Sequence, residues 1–336
     1  MTQQARGRDG GAAFAFVIVL VALNLRAFLT SSSPLLEPIR LATGIGFHAV
    51  ALLTVLPMFA MGAMSLFGAA VGQRIGARGG IALGLAAIAL ACASRYVAGG
   101  AAALLWSAAL AGAGVGLVQA LMPGVVKQSY PARIGVMTGL YSAAIMGGGG
   151  LGAMASPWVA HAAGWHAGLA MWAVLAAAAL LSWLAMRPAS PVAAAPRQDL
   201  SWLRCFGSRR AWLLAVCFGL INGGYTSLVA WLPHFYAQQG WSAQQGGSVL
   251  ALMTAAQVLA ALAMPALARS RGRDLRPWLM LTLAAQLAGF CALLFALPVP
   301  AVAIAVVLGF GLGGAFSLCM VLALDHLPDP AQAGAL

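Results

Sequence analysis

The sequence predicts an all-α, polytopic membrane protein, and three observations predict it. Of its 336 residues, 62% are hydrophobic and only 7% are charged. The mean hydropathy is +0.92. Apolar runs recur along the chain at about the 20-residue length a helix needs to cross the hydrocarbon core, with no long polar domain between them.

Ten such runs can be read, near 12–33, 48–70, 80–98, 101–123, 134–157, 167–186, 211–235, 246–268, 277–297 and 299–324. The first follows "MTQQARGRDGG" but is too long for a signal-peptide core and has nine similar successors, so it reads as an uncleaved helix.

Charge placement then sets the topology. The formal net charge is +12, which in a soluble chain would suggest nucleic acid. Here fifteen of the eighteen basic residues, from Arg6 and Arg8 through Arg74, Arg78, Lys127 and Arg133 to Arg276, fall at every second gap between spans. Arg40 and Arg95 fall in the alternate gaps. That asymmetry predicts both termini in the cytoplasm and no nucleic-acid partner. One lysine among eighteen basic residues, with abundant Ala and Gly, suggests a GC-rich bacterial genome and hence a multi-pass protein of the cell inner membrane. The five cysteines show no paired spacing, so neither disulfide, metal nor cofactor is expected.

The longest polar interruption, "RPASPVAAAPRQDLSWLRCFGSRR", predicts a linker over 191–209 between a six-helix bundle (1–190) and a second bundle (210–336). The halves repeat one another. The fourth span reads "GAGVGLVQALMPGVVKQSYPARIG" and the tenth "GFGLGGAFSLCMVLALDHLPDPAQAG", with matched glycine spacing. Asn24 in the first span has a counterpart, Asn222, in the seventh. The second half supplies four helices, so ten of an expected twelve are present; a full partner for the first half needs roughly 60 more residues. A truncated product or fragment is the expectation.

Two six-helix halves joined by a basic loop resemble the major facilitator superfamily. "GQRIGARGG" is similar to that superfamily's Gly-x-x-x-Asp-Arg-x-Gly-x-Arg signature: Arg74, Gly76 and Arg78 match, whereas Gln73 stands at the acidic position. By resemblance, these three belong to a conformational gating loop, whose acidic latch is missing. "ALNLR" at 22–26, "LLTVLPM" at 52–58, "LMPGVVKQSYPARIGVMTGLYSAA" at 121–144 and "GW" at 164–165 resemble the cyanate and 2-nitroimidazole transporter family, although that family usually continues "NLRP" where this chain has Ala27. The resemblance implies movement of a small anion or polar molecule by alternating access, around a site near the midplane.

Arg26 is the residue that asks for a function. An arginine at the centre of a membrane helix costs about 2.5–3.5 kcal/mol on insertion scales and usually faces a bundle interior or aqueous cavity. Snorkelling is the competing reading, but Pro34 lies roughly 12 Å further along the helix and helical side chains lean towards their own N-terminus, here inward. The six acids, Asp9, Glu37, Asp199, Asp274, Asp325 and Asp329, all sit in loops or at ends, so no buried carboxylate is offered as a partner.

Arg26, Thr30 and Ser33 fall on one helical face; Asn24 points elsewhere. Asn222, Tyr225 and Thr226 form a comparable cluster on the seventh span. The superfamily resemblance adds Gln119 and Ser317 on the fourth and tenth helices and Tyr141 on the fifth. Trp231 could wall a cavity. For each neutral polar residue an interhelical hydrogen bond is the alternative.

The expected activity is therefore secondary or facilitative transport of a small anion or polar solute by a monomer in a lipid bilayer. A multidrug exporter of the same fold, a channel and an inactive remnant are the alternatives. Nothing points to an enzyme: paired acids, a His/Asp constellation and a nucleophile motif are all missing.

Overall fold

The computed structural model describes residues 3–186, 209–270 and 274–325. Every regular element within them is helical. The chain divides into two compact units, Met1–Arg197 and Gln198–Leu336. The expected linker lies outside the described residues except for Arg209, as do Asp199 and Asp329.

In the first unit, α1 spans Gln3–Thr30. Its buried Ile18, Val21, Leu25 and Phe28 recur at three- and four-residue steps, one stripe of a helix. They pack with Ile81, Leu85 and Ile88, with Val115, Val118 and Met122, and with Trp172 and Ala176. The helix stops where the sequence turns to Ser31-Ser32-Ser33-Pro34. The Ser31 hydroxyl donates to the Phe28 carbonyl at 2.7 Å and that of Ser32 to the Leu29 carbonyl at 3.1 Å, and Pro34 disfavours helical backbone before it. The helix ends three residues short of the expected 33, so Ser33 lies past its end.

A short helix that the sequence reading did not anticipate, α2 (Leu36–Thr43), follows. It buries Leu36 and Ile39, pairs Glu37 with Arg40 at 3.0 Å, and ends at Gly44 with φ 67°.

The second and third spans, expected as two helices joined by a short loop, are two helical segments of α3 (Phe47–Ser94), which breaks inside the expected "GQRIGARGG" at Gly76, with φ 75° and ψ 156°. Only glycine adopts that conformation readily. After α4 (Ala101–Ser129), the same device recurs in α5 (Ile134–Ala170), at Gly164 with φ 85° and ψ 161°. A 44° bend then leads into α6 (Trp172–Ala185).

The second unit contains α7 (Arg209–Ala237), α8 (Ala243–Ser270), α9 (Arg276–Leu294) and α10 (Ala301–Asp325). Among the described residues, seven helical stretches are long and apolar enough to cross a membrane, or up to eight when the bent α5–α6 pair is one span. The sequence reading counts ten; α7, its seventh span, is a 29-residue helix outside those seven.

The repeat seen in sequence is a repeat of packing. A Cβ on Gly112 of α4 would strike the Pro57 carbonyl, and one on Gly116 that of Met61. On α10, a Cβ on Gly309 would strike the Met253 carbonyl and one on Gly313 that of Gln257. Small residues four apart thus bring backbones together in the same way within each unit. Phe59, Trp106, Val174 and Leu181 in the first unit, and Leu220, Leu259 and Leu287 in the second, lie mostly exposed, as helix faces in contact with hydrocarbon do.

Candidate functional site

Arg26 is half-buried on α1 between the buried Leu25 and Ala27, and its Nε is sealed from solvent. Its polar neighbours on the helix already spend their side chains on backbone carbonyls. Asn24 Nδ2 donates to the Leu20 carbonyl at 2.7 Å and reaches the Leu175 carbonyl of α6 at 3.5 Å. Thr30 is 0% exposed, and its hydroxyl donates to the Gly149 carbonyl of α5 at 2.7 Å. With Ser33 beyond the helix, the expected three-residue stripe narrows to Arg26 alone.

Helix register decides which other candidates accompany it. A Cβ on Gly148 would strike the Leu23 carbonyl and one on Gly152 that of Ala27, so α1 and α5 run parallel with these residues level. Tyr141 then lies about ten residues, or roughly 15 Å, below the level of Arg26. It is buried, and its hydroxyl has no hydrogen-bond partner among the described residues.

At the other end of α4, the Tyr130 hydroxyl donates to the Gly11 carbonyl and its ring stacks on Phe14 at 6.3 Å. Burial raises the pKa of this phenol, which keeps it a neutral donor. Counting about eleven residues along each antiparallel helix from this contact brings Gln119 level with Ala22 to Leu25. Gln119 and Arg26 therefore share a level, and Tyr141 does not.

In the second unit, Asn222 Nδ2 donates to the Phe218 carbonyl at 3.0 Å and the Thr226 hydroxyl to the Asn222 carbonyl at 2.8 Å. Tyr225 is buried beside them. The Gln286 Nε2 of α9 stands 2.7 Å from where a Cβ on Gly224 would fall, and its backbone nitrogen 2.6 Å from one on Gly311. Because Gly313 rests on Gln257, the residues Asn222, Tyr225, Gln257 and Gln286 form a polar belt at one level.

Two of these four escaped the sequence reading. Gln257 is 4% exposed, and the Oε1 atoms of both glutamines are enclosed without a hydrogen-bond donor among the described residues. The available signal was a glutamine at the centre of an apolar span, in "TAAQVLAAL" and "TLAAQLAGF". Ser317 falls lower: Phe316 packs on Phe218 at 5.2 Å, which sets Ser317 about 7 Å below Asn222. Its hydroxyl donates to the Gly314 carbonyl at 3.1 Å. Trp231 is exposed and meets His234 edge-on at 6.0 Å.

The loop residues divide. Arg74 is exposed, like Gln73 at the acidic position, and Gly76 makes the break. Arg78 Nη2 donates to the Leu184 carbonyl at 2.8 Å, while Trp183 Nε1 returns a bond to the Arg78 carbonyl at 3.1 Å. A cation at the C-terminal end of α6 meets the negative end of its dipole. Among the described residues no group of three His, Cys, Asp or Glu could hold a metal ion.

Long apolar helices crossing side by side, with an arginine and neutral polar belts inside them, define a membrane transport protein. The family model described as Major Facilitator Superfamily matches residues 14–336, and the chain belongs to that superfamily. It is 47% identical over 321 residues to the Cyanate transport protein CynX of Escherichia coli (strain K12), covering 95% of this chain and 83% of that protein. It is 28% identical over 331 residues to the 2-nitroimidazole transporter of the same organism, covering 95% and 81%. Among solved structures, the nucleoside transporter NupG superposes with a TM-score of 0.73 at 14% identity, covering 97% of this chain and 85% of that one. The D-xylose-proton symporter gives a TM-score of 0.73 at 14% identity, over 96% and 85%. The two structures speak to the fold alone.

Proposed function

We propose that this transporter moves a small anion of the cyanate type, and that Arg26 is the charge that meets it. The observation that carries this reading is the guanidinium seated in the apolar stretch of α1, level with Gln119, in a chain 47% identical to a cyanate transport protein. A guanidinium presents a planar fork of donors to a small anion, and in a low-dielectric setting such charge-assisted bonds are strong. Within the second unit, the neutral belt of Asn222, Tyr225, Gln257 and Gln286 supports a small polar solute on its own account. Alternating access by a monomer, with both termini in the cytoplasm of a bacterial inner membrane, completes the proposal; solute and lipid are its partners.

Uptake of labelled cyanate into proteoliposomes tests it. Arg26→Gln should lower uptake at limiting cyanate at least tenfold, about 1.4 kcal/mol of binding, and Arg26→Lys should fall between, keeping charge but losing the fork. Near-normal uptake by the Gln form, at normal protein levels, removes the anion site. A second reading, an uncharged dipolar solute, is favoured by the neutral belt and by the 28% identity to a 2-nitroimidazole transporter. Competition of 2-nitroimidazole against cyanate separates the two.

A further inference from the structure

The matched glycines of α4 and α10 have matched neighbours. Gly112 meets Pro57 and Gly116 meets Met61, as Gly309 meets Met253 and Gly313 meets Gln257. Gly114 lies against the Gly84 carbonyl and the Ile88 side chain, and Gly311 against the Thr282 carbonyl and the Gln286 backbone. Position for position, Gln257 stands where the first unit has Met61, and Gln286 where it has Ile88. Ile88 is 1% exposed and packs in the apolar core of its unit.

The first unit thus closes the same backbone contacts with apolar side chains, and the packing of the repeat requires no amide at either place. The second unit carries both. Gln257 is 4% exposed, and the Oε1 atoms of the two glutamines are enclosed with no hydrogen-bond partner among the described residues. An enclosed acceptor without a donor destabilises a fold, the more so where hydrocarbon replaces water. Gly224 makes room for one of the two amides: Gln286 Nε2 lies 2.7 Å from where a Cβ on Gly224 would fall, so only glycine on α7 leaves that amide its place. Polarity kept against stability, in one half of a duplicated fold, is the mark of residues retained for binding.

We propose that Gln257 and Gln286 are solute-binding residues, whose amides complete their hydrogen bonds on the transported molecule. Asn222, on the same belt, already donates to the Phe218 carbonyl of its own helix. An amide gives its N–H to a nitro or cyanate oxygen and takes an azole N–H on its carbonyl. The pair therefore fits a small solute that both donates and accepts, and meets cyanate by donation alone. The inference narrows the reading of the belt given above and rests on it.

Uptake of labelled 2-nitroimidazole and cyanate by the full chain in proteoliposomes, beside thermal unfolding in detergent, tests it. Gln257→Met and Gln286→Ile install the first unit's residues at the matching places. Each should raise the 2-nitroimidazole KM about tenfold and the cyanate KM about threefold, with Vmax within about twofold and the unfolding midpoint equal or higher. A structural role predicts the reverse, a lower midpoint with KM unchanged. That result in both variants, or a wild-type KM for every solute carried, overturns the proposal. Should a variant fail to reach the membrane folded, Gly224→Ala decides: it keeps Gln286, displaces the amide and should raise KM likewise, and an unchanged KM overturns the proposal. Raised KM values in these variants beside normal uptake by Arg26→Gln support the inference and remove only the anion site. Carriage of neither solute sinks the reading of the belt, and this inference with it; carriage with indifferent glutamine variants sinks the inference alone.

Discussion

Two polar residues four apart on α1, Arg26 and Thr30, look equivalent on a helical wheel and differ in what holds them. Thr30 is closed off on every side, with its hydroxyl on the Gly149 carbonyl. Arg26 is half-buried at a level it shares with Gln119. The difference has a measurable consequence. Thr30→Val keeps the shape and removes the bond to α5, so it should destabilise the detergent-purified protein by about 0.6–1.5 kcal/mol, read as a lower unfolding midpoint, and leave the cyanate KM unchanged. A raised KM with unaltered stability would instead return Thr30 to the solute. The same distinction separates Asn24, tied to Leu20 and Leu175, from the glutamines of the second unit, whose carbonyl oxygens have no donor among the described residues. Sequence shows that a residue is polar and roughly how deep it lies; whether its hydrogen bonds are already spent depends on neighbours more than a hundred positions away.

At the scale of helices, glycine does two separate jobs. At Gly76 and Gly164 it supplies a positive φ, and at Gly112, Gly116, Gly309 and Gly313 it lets backbones touch. The first job predicts a contrast within one loop. Gly76→Ala, with φ 75° and open space around the new Cβ, should lose about 1–2 kcal/mol from backbone strain alone. Gly79→Ala places its Cβ 3.6 Å from that of Ile75, ordinary contact, and should be neutral or gain about 0.5 kcal/mol from helix propensity. Thermal unfolding of the two variants side by side checks this, and an equal loss in both would show that space rather than φ is limiting. The packing job was legible as the repeated spacing in the fourth and tenth spans. The break at Gly76 was legible as the short loop "GQRIGARGG"; that helical backbone runs up to the glycine from both sides was not, because that stretch reads as a loop whether the flanking helices stop early or run on.

For the molecule as a whole, the alternation of basic gaps predicts which loops share a side of the membrane. In a protein with its native cysteines replaced, Gln73→Cys should react with an impermeant maleimide only from the cytoplasmic side and Leu41→Cys only from the opposite one; both positions are exposed. Labelling of both from one side contradicts the proposed topology. The apolar runs, the bias of Arg and Lys between gaps, the duplication of halves and the family were all decided by the sequence itself, because hydrocarbon thickness, the membrane's charge asymmetry and glycine spacing act on local composition. The destination of Arg95 was not. Read along the chain it sits in a gap, and only the approach of α1 and α4 to the end of α3 buries it against Phe28 and Ser107. Likewise, the register of α5 on α1 separates Tyr141 from Arg26, and the packing of α10 between α8 and α9 gathers Gln257 and Gln286 with Asn222. Those outcomes depend on where helices stop and how they slide past one another, which backbone contacts between distant segments determine and no local pattern encodes.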